Sequence, residues 1–237
     1  MTSPAIAIAP PKKISPSQSE MARCISRRFP NQLSFRAHRH YAKWKILTDP
    51  LYGAVFDALK DSPHPVLDIG CGMGLLAFYL RERGMTVPVH GVDFDAAKIQ
   101  TAQLLAKQYS PEPQFETGDM RKPWPEVHGN VCLLDILQYL EVKGRAELLA
   151  KAASHVVPGG LLVIRGSMKE PTWRWRVNYS MDHIANALSW MKAAPVSYPT
   201  HDELVSVLKT CGLQLKEARP LWGRTPFNMH FQVFERH

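Results

Sequence analysis

From residue 65 onward, short apolar runs alternate with longer amphipathic segments. The short runs predict strands, and apolar residues three and four positions apart in the segments between them predict helices. This alternation is typical of a parallel sheet with helices on both faces. The predicted strands are VLDI (66–69), VHGVDF (89–94), FETGD (115–119), VCLLDIL (131–137) and LLVIRG (161–166), and the predicted helices cover 74–83, 95–109 and 143–155.

The end of the chain breaks this alternation. Thr200 followed by Glu203 has the capping-box spacing of a helix start and predicts a helix over 200–211. The runs LQLKEARPLW (213–222) and MHFQVFER (229–236) predict two strands that a short loop joins, and strands so close together pair antiparallel. The expected α/β fold is therefore a Rossmann-like sheet of seven strands, mostly parallel, with a C-terminal antiparallel hairpin.

Before the first strand, the pattern predicts a tail and two helical stretches. Residues 1–20 are rich in Pro and Ser and predict a disordered tail, whereas 21–29 and 35–60 have helical spacing. Asp49-Pro50 fits a helix N-cap followed by proline at the first helical position. No apolar run approaches the roughly 20 residues of a membrane span, so we expect none.

Charge is unevenly distributed along the chain. The net charge is +8, from 29 Lys and Arg against 21 Asp and Glu. Residues 1–60 and 161–237 are basic, and residues 61–160 are mildly acidic. Basic flanks favour an anionic partner, such as a nucleic acid, a carboxylated substrate or an acidic carrier protein, but they also serve simple solubility.

Three glycines separate the first predicted strand from the helix that follows it. Gly70, Gly72 and Gly74 allow a tight turn and a close approach of a ligand to the backbone. The helix behind them presents free N–H groups, and Asp93 at the end of the second strand is placed to hold ribose hydroxyls. A dinucleotide site has the spacing Gly-x-Gly-x-x-Gly, whereas this turn has Gly-x-Gly-x-Gly after Asp68. A carboxylate there repels a pyrophosphate but suits a ligand with an ammonium and a sulfonium.

The turn resembles the first motif of the class I S-adenosylmethionine-dependent methyltransferases, and further motifs follow in order. HGVDFD (90–95) resembles the ribose-binding motif, TGDM (117–120) the adenine-edge motif, LLDILQYL (133–140) the motif beneath the departing methyl group, and VVPGGLLVI (156–164) the strand that completes the parallel set. The resemblance implies S-adenosylmethionine as cofactor and S-adenosylhomocysteine as product. The cofactor-binding residues that it implies are Asp68, Gly70, Cys71, Gly72, Gly74, Asp93, Phe94, Asp119, Met120 and Asp135.

The same resemblance implies where an acceptor binds. In this fold the substrate pocket lies between the N-terminal helices, here 21–60, and an insertion after the fifth strand, here 167–198, and both belong to one domain of residues 21–237. Gln138 stands where many small-molecule relatives have a histidine, and it is able to orient a substrate through its amide. We expect Gln138 and Tyr41 in catalytic roles and, as substrate-binding residues, Tyr139, Arg165, Trp173, Tyr179 and His183. The aromatic residues of the insertion also fit plain core packing of a lid.

Three functions remain open on these residues. The first is methylation of a small aromatic or acyl acceptor, free or tethered to an acyl carrier protein, in secondary-metabolite or pigment biosynthesis. It is favoured because PLWGRTPFN and the Trp-rich insertion resemble methyltransferases encoded with aryl-polyene pigment enzymes. The second is methylation of RNA or protein through the basic flanks, although the chain has no separate RNA-binding module. The third is a cofactor-binding protein that has lost catalysis.

Cysteine usage bears on metals and on location. Cys24, Cys71, Cys132 and Cys211 are widely separated, with no Cys-x-x-Cys pair. This spacing predicts neither a zinc site nor a disulfide framework, and it fits a reducing cytoplasm. We therefore expect a cytoplasmic enzyme without a metal.

Overall fold

The computed structural model describes residues 16–170, 195–223 and 228–237. The helices in these ranges are α1 Pro16–Arg28, α2 Arg36–Thr48, α3 Leu51–Leu59, α4 Leu75–Glu82, α5 Ala96–Ala106, α6 Val142–His155 and α7 His201–Thr210. The strands are β1 Val66–Ile69, β2 Val89–Asp93, β3 Gln114–Thr117, β4 Asn130–Leu134, β5 Leu161–Ser167, β6 Leu213–Pro220 and β7 Met229–Arg236. None of the described helices combines the length and apolar character that a membrane span requires.

The seven strands form one sheet in the order β3-β2-β1-β4-β5-β7-β6. Strands β1 to β5 run parallel, and β7 pairs antiparallel with both β5 and β6. The predicted Rossmann-like sheet with a C-terminal antiparallel hairpin is confirmed. The chain winds from β1 out to β3 and then returns to β4 on the other side of β1. Ligands of open α/β sheets bind at the carboxyl ends of the strands beside such a reversal.

Alternate residues of the strands fill a core on each face of the sheet. On one face, Val66 and Cys132 pack with side chains from α1 to α5. On the other face, Leu67 and Leu133 pack with side chains from α6 and α7. Because successive side chains of a strand point to opposite faces, these short apolar runs hold helices on both sides. Each fully buried Leu or Val contributes roughly 1.5–3 kcal/mol relative to exposure.

Helix α1 begins earlier than the sequence predicts. Residues 16–20, expected in the disordered tail, belong to α1, so this boundary of the predicted tail is wrong. The physical reason is Gln18, whose buried side-chain amide donates to the carbonyls of Ile46 and Asp49, each at 2.7 Å. Partners so far along the chain leave no local sequence pattern.

The fourth strand is shorter than predicted. It ends at Leu134, because Asp135 has a left-handed backbone conformation (φ 60°) that a strand does not contain. A 3-10 turn over Leu137–Tyr139 follows. The chain therefore leaves the sheet at Asp135, at the carboxyl edge where the reversal of strand order opens a crevice.

Candidate active site

The turn between β1 and α4 holds its three glycines in left-handed conformations. The φ angle is 81° at Gly70, 56° at Gly72 and 76° at Gly74, in a region that other residues rarely adopt. A Cβ at Gly70 would lie 2.4 Å from Cγ2 of Ile136, and one at Gly74 would lie 2.5 Å from the ring of Phe115. A Cβ at Gly72 would meet no atom within 4 Å, so this side of the turn is open to a ligand.

Asp93, at the end of β2, ties the glycine turn to the neighbouring strand. Its Oδ2 accepts a hydrogen bond from the backbone N of Gly72 at 2.9 Å, and its Oδ1 accepts one from Asp95 N at 2.9 Å. Each oxygen keeps a further lone pair for a ribose hydroxyl. Asp93 therefore lies beside the turn, as its motif implies, and its role as a ribose acceptor stays a prediction.

Asp68 lies at the base of the turn with an unpaired oxygen. The residue is buried, and its Oδ1 has no hydrogen-bond partner among the described residues. Burial, with a smaller contribution from the charge of Asp93, raises the pKa of Asp68 to about 7. A buried carboxylate without a partner is costly unless a cation or donor reaches it. Asp68 and the open side of Gly72 thus fit a ligand that carries an ammonium and a sulfonium.

Cys71 shapes the turn from inside. Its N donates to Val92 O at 3.1 Å, and its carbonyl accepts from Gly74 N at 3.0 Å. Its Sγ lies 2.8 Å from where a Cβ of Gly91 would stand, so the thiol faces β2. Burial, together with the charges of nearby acids, raises the pKa of the Cys71 thiol well above its usual range. The thiol is therefore neutral, and a cofactor contact by Cys71 stays a prediction.

The residues predicted at the cofactor's outer edge follow β2 and β3. Phe94 exposes 61% of its surface, so its ring is accessible to a flat ligand. Asp119 accepts from the guanidinium of Arg121 at 2.9 Å (Nε to Oδ1) and 2.6 Å (Nη2 to Oδ2). These hydrogen bonds lower the pKa of Asp119 to about 2, so it is an ionised acceptor. The carbonyl of Met120 accepts from Trp124 Nε1 at 3.0 Å. Cofactor binding by Phe94, Asp119 and Met120 stays a prediction.

Four charged side chains meet at the carboxyl ends of β4 and β5. Arg165 is 3% exposed; its Nη2 donates to Asp49 Oδ2 at 2.8 Å, and its Nη1 donates to Asp135 Oδ2. Lys45 Nζ lies 2.8 Å from Asp49 Oδ2 and 3.5 Å from Asp135 Oδ2. Asp49 also accepts from the N of Leu51, the first residue of α3, at 3.0 Å. The N-cap of this helix is Pro50, one residue later than predicted. This four-residue network, Lys45, Asp49, Asp135 and Arg165, joins the N-terminal helices to the sheet.

Opposite charges compensate the burial of this network. Burial alone would raise the pKa of Asp49, but Arg165 and Lys45 outweigh it and lower that pKa. Burial alone would lower the pKa values of Lys45 and Arg165, but the carboxylates of Asp49 and Asp135 raise both. Asp135 Oδ1 and Arg165 Nε are buried without a partner in the described part of the chain. These two atoms remain for a ligand, so cofactor binding by Asp135 and substrate binding by Arg165 stay predictions.

Gln138 lies in the 3-10 turn after β4. Its Nε2 donates to the carbonyl of Asp135 at 2.8 Å, and its Oε1 is buried with no partner among the residues described. Its backbone carbonyl accepts from Val196 N at 2.8 Å and from Ser197 N at 3.3 Å, which fixes the returning end of the insertion here. An amide is not a proton base, but Oε1 is able to accept a hydrogen bond from a substrate. Tyr139 is half-buried beside it.

Helix α2 turns one face towards the network. Lys45 lies on this face, and Tyr41 and His38 precede it by four and seven residues, which puts all three on one side of the helix. Tyr41 is 55% exposed, and His38 Nδ1 is buried without a partner in the described ranges. The predicted Tyr41 therefore lies on the helix face that leads to Asp135.

Sequence reasoning missed that Asp49, expected only as a helix N-cap, completes the site by pairing with Arg165 and Lys45. The available signal was Arg165 in the strand LLVIRG, because a charged residue on a buried strand needs a charged partner. That signal does not say which carboxylate provides it.

Three predicted substrate residues, Trp173, Tyr179 and His183, lie outside the described residues, together with most of the insertion 167–198. The described ends of the insertion meet, because Lys169 N donates to Pro199 O at 2.8 Å. Within the described residues, no group of three or more His, Cys, Asp or Glu side chains is arranged to hold a metal ion.

Comparison with known proteins agrees with this geometry. Residues 66–160 match the family described as a methyltransferase domain. The family match, the methyltransferase relatives and the structural neighbours together support a class I S-adenosylmethionine-dependent methyltransferase. A ubiquinone biosynthesis O-methyltransferase from Pseudomonas savastanoi pv. phaseolicola is 28% identical over 171 residues, covering 71% of this chain and 72% of that protein.

Solved structures share the fold at lower identity. Magnesium protoporphyrin IX methyltransferase from Synechocystis PCC 6803, with bound S-adenosylhomocysteine, has a TM-score of 0.65 at 17% identity and covers 94% of this chain and 95% of its own. The (4+2)-cyclase SpnF has a TM-score of 0.63 at 14% identity, covering 81% of this chain and 83% of its own. The second of these shows that the fold alone does not decide the reaction.

S-adenosylmethionine is the cofactor that the sequence motifs imply for the matched methyltransferase domain. When bound, it supplies an electrophilic methyl group. The residues of this chain that fit it are Asp68 for a cationic group, Gly72 for close backbone approach, and Asp93 for ribose hydroxyls.

Proposed function

We propose that this methyltransferase transfers a methyl group to a small acceptor of aromatic or acyl character. The contact between Arg165 and Asp49 carries this proposal, because it brings the N-terminal helices onto the carboxyl ends of β4 and β5. These helices close one side of the crevice beside the cofactor residues. A crevice walled in this way suits a small acceptor better than a folded macromolecule.

The chain's own contribution is chiefly orientation. Holding donor and acceptor in line supplies several kcal/mol of a transfer barrier, so side chains that fix both partners matter more than a strong base. In this proposal, ionised Asp68 holds the cationic part of the cofactor and Gln138 Oε1 accepts from a donor on the acceptor. Tyr41 covers the mouth of the pocket. Asp49 acts through Arg165 and Lys45 acts directly on Asp135, as residues that position Asp135.

The chemical class of the acceptor is inferred from the relatives. One relative, which matches 71% of this chain, is named for O-methylation in ubiquinone biosynthesis, which favours an oxygen acceptor on an aromatic compound. The Trp-rich insertion and PLWGRTPFN favour an aryl compound in pigment or secondary-metabolite biosynthesis, free or on an acyl carrier protein. The four cysteines are free, and a cytoplasmic location is part of the proposal.

The test is a transfer assay with methyl-labelled S-adenosylmethionine and an extract of the cells that make the protein. Products are separated by size before and after nuclease, protease and thioester cleavage. Asp68→Ala serves as the inactive variant, and Asp61→Ala, which removes an exposed carboxylate outside the site, serves as its matched control. We expect label in small organic-soluble molecules from the wild type and from Asp61→Ala, and none from Asp68→Ala.

The alternatives give distinct outcomes. Label that thioester cleavage releases from a small acidic protein would place the acceptor on a carrier. Nuclease-sensitive label, or label in a protein that resists thioester cleavage, would contradict the proposal and favour a macromolecular substrate. Tight cofactor binding without transfer to any fraction would also contradict it and favour a protein that has lost methyl transfer.

A further inference from the structure

Helices α1 and α2 enclose a groove of about 630 Å³ on the side of the N-terminal helices. Its charged lining consists of cations, and no Asp or Glu of the described part of the chain lines it. Arg36, in the groove, and Lys45, in the four-residue network, are nine positions apart, which places them on opposite faces of α2. The groove is therefore separate from the candidate active site, and the proposed methyl transfer does not involve it. Its lysine and arginine side chains are Arg23 and Arg27 from α1 and Arg36, Arg39 and Lys43 from α2.

The Lys and Arg residues of α1 and α2 that lie outside the groove are paired with carboxylates, and those inside it are not. Arg28 of α1 lies 2.7 Å from Glu82, and Lys45 of α2 lies 2.8 Å from Asp49. Among the described residues, none of the five groove cations has a carboxylate partner, and Arg39 instead donates to Asn31 Oδ1 at 2.9 Å. Concentrating like charges without counter-charges costs stability and attracts an anionic partner.

The lining distinguishes between classes of anionic partner. Among the described residues, no Phe, Tyr or Trp lines the groove, and its one aromatic ring is that of His40. It therefore lacks the succession of aromatic side chains on which single-stranded nucleic acids stack. The apolar lining that the described residues provide is limited to Pro30 and Leu33, whereas a helix that lies on a membrane presents a broad apolar face. Four of the five cations are arginines, whose planar guanidinium groups bind carboxylates in pairs of hydrogen bonds.

The shape adds one more constraint. A concave groove between two helices accepts a convex ridge, and recognition of a helix in a groove is a common way to bind a peptide segment. Leu33 stands at one end of this groove with 81% of its surface exposed, more than any other large apolar side chain in the described residues. It provides an apolar contact beside the charges.

We propose that the groove between α1 and α2 docks an acidic helical segment of a partner protein. Carboxylates three and four residues apart on that segment would meet Arg23 and Arg27 on one wall and Arg36, Arg39 and Lys43 on the other. Leu33 would contact an apolar side chain at the end of the segment. This docking site goes beyond methyl transfer and does not depend on which acceptor the enzyme uses.

The probe is a short fluorescein-labelled helical peptide with Glu three and four residues apart and one Leu, together with a twin in which every Glu is Gln. Fluorescence anisotropy measures binding to the full chain at low salt and at about 0.15 M salt. The groove variant is Arg27→Glu with Arg39→Glu. Its matched control is Lys60→Glu with Lys209→Glu, two exposed lysines outside the groove, which lowers the net charge by the same amount.

We expect the wild type to bind the acidic peptide and not its Gln twin. The groove variant should bind at least about tenfold more weakly, and the control should stay within about twofold of the wild type. Circular dichroism and cofactor binding establish that both variants are folded. If the groove variant with two Glu substitutions does not fold, Arg27→Gln with Arg39→Gln takes its place.

Several results would overturn this docking site. One is that both charge variants weaken binding of the peptide equally. Another is that the Gln twin binds the wild type as tightly as the acidic peptide does. A third is that the wild type does not bind the acidic peptide at low salt. A single-stranded RNA, or vesicles with an anionic lipid, binding the groove more tightly than the peptide would also overturn it and would replace the partner class.

Discussion

On the cofactor side of the crevice, Asp68 is buried with an unpaired oxygen, whereas on the acceptor side Asp49 and Asp135 share the cations of Arg165 and Lys45. The pKa of Asp68 is raised to about 7, whereas the pKa of Asp49 is lowered. A buried charge that the protein itself compensates holds structure together. A buried charge that the protein leaves uncompensated lowers the stability of the free protein and is available to a cationic ligand. The two sides should therefore respond in opposite ways when a charge is removed.

The largest effect is expected on the compensated side. Arg165→Met leaves Asp49 and Asp135 facing one lysine, and breaking a buried ion pair in this way costs about 3–5 kcal/mol of unfolding free energy. Urea unfolding of the full chain measures this. The matched control is Arg121→Met, which breaks an exposed Arg–Asp pair and should cost about 1 kcal/mol or less. If both variants lost the same unfolding free energy, the buried network would contribute no more to stability than a surface ion pair.

Next in size is the loss of cofactor affinity on the uncompensated side. Asp68→Asn keeps the shape but removes the charge, and hydrogen bonds to charged groups contribute about 1.5–3 kcal/mol. We expect S-adenosylmethionine to bind about ten- to hundredfold more weakly by isothermal titration calorimetry. Asp61→Asn, at an exposed position, should bind as the wild type does. Unchanged affinity in Asp68→Asn would show that the carboxylate does not hold the cofactor.

The same substitution should stabilise the free protein. Because burial raises the pKa of Asp68 above its value in the unfolded chain, ionising it costs stability increasingly as pH rises from about 4 to about 7. Asp68→Asn should therefore raise the unfolding free energy by about 1–3 kcal/mol at pH 8, and the gain should vanish near pH 4. Destabilisation at pH 8 would mean that Asp68 has a structural partner in the free protein.

The smallest effect is expected at Gln138, which lies between the two sides. Gln138→Ala removes the hydrogen bond that Nε2 donates to the carbonyl of Asp135, and it also removes the acceptor Oε1. The loss of one such hydrogen bond changes a free energy by about 1 kcal/mol. Transfer to the acceptor identified in the labelling assay should slow about fivefold in kcat/KM, while the affinity for S-adenosylmethionine changes less than twofold. A larger loss in cofactor affinity than in transfer would assign Gln138 to the cofactor side.

The cofactor side could be predicted from sequence because its determinants are local. Gly70, Gly72 and Asp68 stand within one turn, and Asp93 follows at the end of the next strand, so spacing alone brings them together. The positions of the strands follow equally from short apolar runs.

The acceptor side could not be predicted in the same way. Asp49 and Arg165 are separated by 116 positions, and Lys45 reaches them only after α2 has folded onto the sheet. The left-handed conformation of Asp135 is also not predicted from the sequence. Asp adopts this region more often than most residues other than glycine, but Asp135 lies inside the apolar run VCLLDIL, which predicts a continuous strand. Gln18, which extends α1 by capping distant carbonyls, is a third case in which tertiary contacts override the local pattern.

The most direct test of the central claim is to titrate S-adenosylmethionine by calorimetry at pH 5.5 and pH 7.5 into the wild type and into Asp68→Asn. With a pKa of about 7 for Asp68, the wild-type carboxylate is mostly protonated at the lower pH and mostly ionised at the higher. Affinity of the wild type should therefore increase about tenfold with pH, and that of Asp68→Asn should stay constant. The same pH dependence in both proteins, or weaker binding of the wild type at pH 7.5, would contradict the assignment of Asp68 as the acid that receives the cationic cofactor.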